Sequence, residues 1–328
     1  MTSIGMKAQF GVAMQNSYGT PVAATSAMFI PILSEGIEVA IPPLYPNDFT
    51  GVLEEAHEVE EGAKTIAGDI TFNAGPITLG QILKGALGDP TTAIAGSSYT
   101  HIFVPRSGDY QLESAQRPIS VYKTWAGVGS CEQFSDMAIA TLELSVAKGE
   151  LLKCKAGFIG GKQAYVAPPS VVFPAGRRIP WDVASIQVGS GTGLAAHPEF
   201  DNFTLTLDNG IEVAHTLANT QWPSRIIRSG FRKINISGTL FFASLLEYDA
   251  FLGNTEKACI VTFVSKDTIM TNTKNVLRYD IPALRYKEVK KPTGGPGRIQ
   301  VQISADAVYH AGSAGALKVT LANTYAAY

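Results

Sequence analysis

The chain has 328 residues, a formal net charge of −2 and only 16% charged residues, with 32 Gly and 18 Pro. That balance excludes a protein that holds nucleic acid by neutralising phosphates, although not one that lets it pass. Its length suits two domains with a core each, and the sparse charge suits a surface largely covered by neighbours.

A polar, Gly-rich arm from Gly5 to Ala27 opens the chain and contains the turn-like Ser17-Tyr18-Gly19-Thr20-Pro21. Strand signals follow at Phe29–Leu33 and Ile37–Val39, and the polar stretch Pro42–Lys64 reads as a long projecting loop. Alternation returns at Thr65–Phe72. Leu79, Ile82, Leu83, Ala86 and Leu87 then recur at helical spacing, with Pro76 near the start and Gly88 as the stop. Further strands are expected at Tyr99–Val104, Ile119–Trp125, Ala138–Val146 and Leu151–Ile159, and Gln163–Pro180 reads as a linker.

The same order then returns. A hairpin at Phe203–Val213 precedes a long loop, His215–Gly230, and a strand at Lys233–Phe242. Ser244-Leu245-Leu246-Glu247 has the capping-box pattern and opens a helix that ends at Gly253. Strands at Cys259–Val264, Val276–Ile281, Ala283–Val289, Arg298–Ala305 and Leu317–Leu321 complete the chain, with Lys290–Gly297 as a hairpin tip.

Gly36-Ile37-Glu38-Val39-Ala40 recurs unchanged as Gly210-Ile211-Glu212-Val213-Ala214, and seven of twelve positions agree between Phe29–Ala40 and Phe203–Ala214. Gly68–Phe72 similarly resembles Gly238–Phe242. We read one module of roughly 160 residues written twice, a period far above the 20–50 residues of a solenoid unit. The expected modules are 1–168 with an N-terminal arm and 169–328 with a C-terminal arm. Each is mainly β, an antiparallel sandwich or partly closed barrel with one short α-helix.

No reaction chemistry emerges from the residues. His57, His101, His197, His215 and His310 are scattered, and Glu54-Glu55-Ala56-His57-Glu58 lacks the second His of a zincin. Gly157–Gln163 has the wrong spacing for a phosphate loop, and Gly189–Gly193 reads as a flexible loop. No Gly-x-Ser-x-Gly elbow occurs, and Trp125, Trp181 and Trp222 are too separated for a base-stacking platform. Cys131, Cys154 and Cys259 lack zinc spacing and read as buried thiols of a reducing compartment. The first residues show no leader pattern, and no apolar run reaches the roughly 18 residues of a membrane span. No catalytic residue, cofactor or metal is therefore expected.

In the order of Ser17–Pro21, the hairpin through Gly36–Ala40, the long loop, the strand around Gly68 and the helix Ile77–Leu87, the chain resembles the tail tube proteins of long-tailed bacteriophages over nearly its whole length. The resemblance implies a structural virion protein whose rings stack into the hollow tail tube through which genomic DNA is ejected. Tube rings commonly carry six copies of the fold, so two copies per chain imply a trimeric, pseudo-hexameric ring. Implied partners are other copies of the chain, the tape measure protein and the tail terminator and tip proteins, with passing double-stranded DNA and no membrane. The implied location is the virion tail, after synthesis in the host cytoplasm. The alternative within structural proteins is the tube of a related contractile injection or secretion machine. A carbohydrate-binding or hydrolytic double sandwich would instead need clustered aromatics and paired carboxylates.

The two long loops differ in charge: Ile41–Gly68 carries Asp48, Glu54, Glu55, Glu58, Glu60 and Glu61 against Lys64, a net −5, whereas His215–Gly238 carries Arg225, Arg228, Arg232 and Lys233, a net +4. An acidic arm is expected to meet a basic arm of a neighbouring module, setting register more than stability. Asp69, Glu143 and Asp306 are the candidates for lumen-facing acids.

Overall fold

The computed structural model describes residues 7–46, 58–106, 117–190, 193–218, 220–270, 273–292, 298–313 and 315–328. In chain order the strands of the first half are β1 (Ala8–Met14), β2 (Met28–Ile30), β3 (Ser34–Glu35), β4 (Glu38–Ala40), β5 (Pro43–Leu44), β6 (Glu60–Glu61), β7 (Thr65–Asn73), β8 (Thr91–Ala95), β9 (Ser98–Phe103), β10 (Ile119–Trp125), β11 (Cys131–Ala147) and β12 (Lys153–Val166). The second half supplies β13 (Ala184–Ser190), β14 (Gly193–Ala196), β15 (Phe200–Asp208), β16 (Ile211–Ala214), β17 (Arg225–Arg228), β18 (Lys233–Phe241), β19 (Lys257–Met270), β20 (Thr273–Lys290), β21 (Gln300–Ala307) and β22 (Lys318–Asn323). Helix α1 (Thr78–Leu87) follows β7, and α2 (Leu246–Leu252) follows β18.

One antiparallel run crosses the whole chain. β3 and β4 pair with β7, β7 with β12, β12 with β11, β11 with β15, β15 with β18, β18 with β21, and β21 with β20. Strict alternation gives this sheet one apolar face, because successive side chains point to opposite sides. Ile70, Phe72, Leu142, Leu144, Leu205, Leu207, Ile234 and Ile236 are all buried on it. Beneath that face lies one core shared by both halves, with α1 packed against β11 and α2 against β20. Each fully buried Leu, Ile or Phe side chain contributes about 1.5–3 kcal/mol.

β11 and β20 are long because each belongs to two layers. The first part of β11 pairs with β10, and the stretch Thr141–Ala147 pairs with β15. Between them Asp136 takes φ 58, opposite Gly160 at φ 125, where an added Cβ would lie 2.6 Å from the Asp136 carbonyl oxygen. The buried Asp136 carboxylate accepts from Gln15 Nε2 at 2.9 Å and from the Gly19 amide at 2.6 Å, which seats the Ser17–Pro21 turn on the bend. In β20 the change of layer comes at Pro282: Val276–Asp280 pairs with β22 and Leu284–Lys290 with β21.

Several elements differ from the sequence expectation. Within Pro42–Lys64, β5 and β6 pair, and β16 pairs with β17, so both long loops are hairpin arms continuing the strands before them. The Gly5–Ala27 arm contains β1, which pairs with β10 and β2. Gly189–Gly193 is not a free loop, because Gly189 and Gly193 lie on the β13–β14 hairpin. The expected strands Val276–Ile281 and Ala283–Val289 are one strand, and β12 runs to Val166, into the expected linker. The capping box does not form. Residue Leu245 is the N-cap of α2 with no side-chain cap bond, and Glu247 turns away to His197 and Tyr286.

Candidate assembly surfaces

The opposite face of the eight-element sheet is mainly polar along its central rows. One cross-strand row reads Ser34, Thr71, Lys155, Glu143, Thr206, Asn235, Asp306 and Arg285. The next reads Asn73, Lys153, Ser145, Thr204, Ser237, Ser304 and Glu288. Asp69, Gly157, Thr141, Asp208 and Lys233 form a third. Asp69, Glu143 and Asp306, singled out from the sequence, thus share this face, and Glu143 and Asp306 share one row. Lys233, taken for an arm residue, lies here as well. Three lysines sit against carboxylates of the same face: Lys155 is 2.9 Å from Asp69, Lys290 2.6 Å from Glu288, and Lys287 4.0 Å from Asp306. Lys153 and Arg285 reach Glu150 and Glu256 at 2.7 and 3.5 Å, and Lys233 makes no ion pair among the described residues. A hydrogen bond to Asp69 raises the Lys155 ammonium above its ordinary value.

The seam between the halves is a strand junction. Thr141–Ala147 of β11 pairs residue for residue with Asp208–Asn202 of β15. Just beyond it, the buried Asn209 side chain donates to the Ala86 carbonyl at 2.9 Å and the Ile139 carbonyl at 3.0 Å, tying the second half to α1. Arg232 donates to Asn209 Oδ1 at 2.9 Å and to the Arg106 carbonyl, which Arg228 also reaches at 3.2 Å. At the two ends of the sheet, among the described residues, β3 and β4 pair only with β7, and Arg285–Lys290 of β20 pairs only with β21, whereas Leu284 also faces Lys257 of β19.

The two arms touch. Lys64 N donates to the Gln221 carbonyl at 2.8 Å, Gln221 Nε2 donates to the Glu61 carbonyl at 3.2 Å, and the Lys64 ammonium lies 5.8 Å from the Trp222 ring centre. Tyr18 adds a bond to the Pro223 carbonyl at 3.2 Å. Of the expected acidic arm, Asp48, Glu54 and Glu55 lie outside the described residues; Glu58 and Glu60 are exposed. Glu61 pairs with Lys64 of its own arm at 2.9 Å, and the hydrogen bond from Lys64 holds its carboxyl below the usual range. On the basic side Arg225 is exposed, whereas Arg228 and Arg232 bind the backbone carbonyls just named.

Three polar sites escaped the sequence reading. Lys123 on β10 is buried between Glu35 at 2.9 Å and Glu38 at 3.2 Å; burial pulls its ammonium down, but the two carboxylates leave it net raised. At α2, His197 Nε2 lies 3.2 Å from Glu247 Oε1 and the Tyr286 hydroxyl donates to Glu247 Oε2. Burial pushes the Glu247 carboxyl up, and these bonds outweigh it and leave it below the usual range. Asn209 is the third, and its Asn-Gly step was a visible turn signal. All three cysteines are buried, and burial raises Cys131 to about 11 and Cys259 to about 12, so none is an activated thiol at neutral pH. Among the described residues no group of His, Cys, Asp and Glu could hold a metal, and no helix is long and apolar enough to cross a membrane.

Residues 5–307 match the family described as phage tail tube protein. No curated protein matches the sequence. Among solved structures, a chain from the virion of a native gene transfer agent particle aligns with 12% identity and a TM-score of 0.28, covering 40% of this chain and 92% of that one.

Proposed function

This chain belongs to the phage tail tube protein family, and from that premise we propose that its copies close into rings that stack into a hollow conduit for genomic DNA. The family is structural and non-enzymatic, and its place is the virion tail. We further read residues 1–168 and 169–328 as two copies of one module, so that three chains make a pseudo-hexameric ring. What supports the duplication is the pairing order. β3/β4, β7, β12 and β11 follow one another in the first half as β15, β18, β21 and β20 do in the second. Each half sets its helix between the corresponding elements, directly after β7 or β18.

The observation that carries the ring is the β11–β15 junction. Inside one chain it joins the last strand of the first run to the first strand of the second. The matching ends, Arg285–Lys290 of β20 and the outer edge of β3 and β4, are open for the same antiparallel junction with the next copy. Closure removes both edges, which otherwise invite uncontrolled pairing. The polar face then lines the bore, with Asp69, Glu143 and Asp306 facing it.

Contact between an acidic arm and a basic arm of neighbouring modules remains part of this proposal, supported by the touching arms and their opposite charges. The tape measure, terminator and tip proteins complete the partners, and synthesis in the host cytoplasm precedes assembly. Negative-stain microscopy of the purified full-length protein should show tubes. Hydrogen exchange should then find Ser34–Ala40 and Arg285–Lys290 fast in the free chain and protected in tubes. Dispersed monomers under every assembly condition would contradict the tube, and tubes in which both segments still exchange freely would contradict the seam.

A further inference from the structure

We propose that the carboxylates of the polar sheet face act as tethered counter-ions, so that Lys155, Lys287 and Lys290 give a passing double-stranded DNA nothing to bind. This rests on the face being a conduit wall. A wall built to repel DNA would be expected to lack lysines, yet this one carries them near its centre and at its free end. Lys155 lies between Asp69, at 2.9 Å, and Glu143, directly across the strand pair. Lys290 holds Glu288 at 2.6 Å, and Lys287 faces Asp306 at 4.0 Å. The remaining positions of the rows are mostly Ser, Thr and Asn, which offer weak, exchangeable hydrogen bonds.

The argument turns on counter-ion release. A free lysine gains affinity for DNA because docking on a phosphate releases a condensed cation into solution. A lysine whose charge is already balanced by a carboxylate on the same wall brings that negative charge to the phosphate with it. The release then repays only the repulsion, and the strand slides. Because each pair is largely exposed, its worth to folding is small. The pairs therefore make more sense as surface chemistry than as stability. Neither the chain's net charge nor its sequence order reveals them, since Lys155 and Asp69 are 86 positions apart and meet only through the β7–β12 register.

The test uses the unassembled full-length chain, in which the face is open, with a linear double-stranded DNA as probe. One variant combines Asp69→Asn, Glu143→Gln, Glu288→Gln and Asp306→Asn. A control removes as many carboxylates elsewhere, by Glu58→Gln, Glu60→Gln, Glu212→Gln and Asp249→Asn. The wall variant should bind DNA at least tenfold more tightly than the control at low salt. Its affinity should fall about 40-fold between 50 and 200 mM salt, as roughly three released cations require. Equal binding by wall variant and control, or a wild-type chain that binds as tightly as the wall variant, would overturn the proposal. Tube formation by the wild-type protein is read separately by microscopy, so a failure of the tube is not mistaken for a failure of the charge pairing.

Discussion

Helices α1 and α2 follow matching strands and pack on matching strands, yet their surroundings differ. In α1 every residue but Lys84 is buried; in α2 only Ala250 is, and Leu246 and Leu252 are 67% and 65% exposed. The difference comes from what the rest of the chain lays over each. Asn209 of the second half binds the end of α1, and Tyr328 lies so close that a Cβ on Gly80 would sit 2.1 Å from its ring. Among the described residues, none lays such a cover over α2. A single chain thus covers its first helix and leaves its second largely exposed, which fits the proposed continuation into a neighbour.

The glycines of the two hairpins sharpen that comparison most. In the first half the crowded glycine is Gly68, at φ 154, where a Cβ would lie 2.0 Å from the Gly36 carbonyl oxygen. In the second half it is Gly210, at φ 59, with a Cβ 2.7 Å from the Gly230 oxygen. Their partners Gly36 and Gly230 have room. Gly68→Ala should therefore cost about 4 kcal/mol or more and Gly210→Ala about 2, against less than about 1 for Gly36→Ala or Gly230→Ala, by urea denaturation. Equal losses at Gly36 and Gly210, as their shared pentapeptide suggests, would break the geometric account.

Next in size is core truncation. Leu79→Ala should destabilise the unassembled chain by about 3 kcal/mol, and Leu246→Ala or Leu252→Ala by less than about 0.5. Similar losses on both helices would erase the contrast between them. Lys123→Met tests an ion pair of the first half with a buried lysine and should cost about 2 kcal/mol, because the half-buried Glu35 is left unpaired. Adding Glu35→Gln should recover part of that loss.

The smallest effect is electrostatic. The Glu247 carboxyl is held below its usual range, so its contribution to stability is complete above the unfolded-state value near 4.3 and disappears as pH falls through the lower folded-state value. Acid titration should loosen α2 while α1 stays intact, and Glu247→Gln should flatten that dependence.

The sequence carries the parts of this fold that repeat locally. Alternation in Thr65–Phe72 and the helical spacing from Leu79 to Leu87 place β7 and α1 nearly where they lie, because one buried face dictates each pattern. Pairing across the chain is less legible. The likeness of Gly68 to Gly238 aligns two strands that enter their helices alike, but in the hairpin the glycine facing its partner is Gly230 in the second half. Glu247 carried a plausible local pattern that lost to distant partners, His197 and Tyr286. Glu143 and Asp306 were singled out from the sequence, but Lys155 beside them was not, because register, not order, puts those residues in one row.

A cryo-electron microscopy reconstruction of the assembled protein tests the central claim most directly. Three chains per ring, each giving its run from β3/β4 to β20 to one closed wall, with β20 of each chain paired to β3 and β4 of the next, is the result expected. Six chains per ring, a seam formed by other strands, or an assembly without a bore would contradict it.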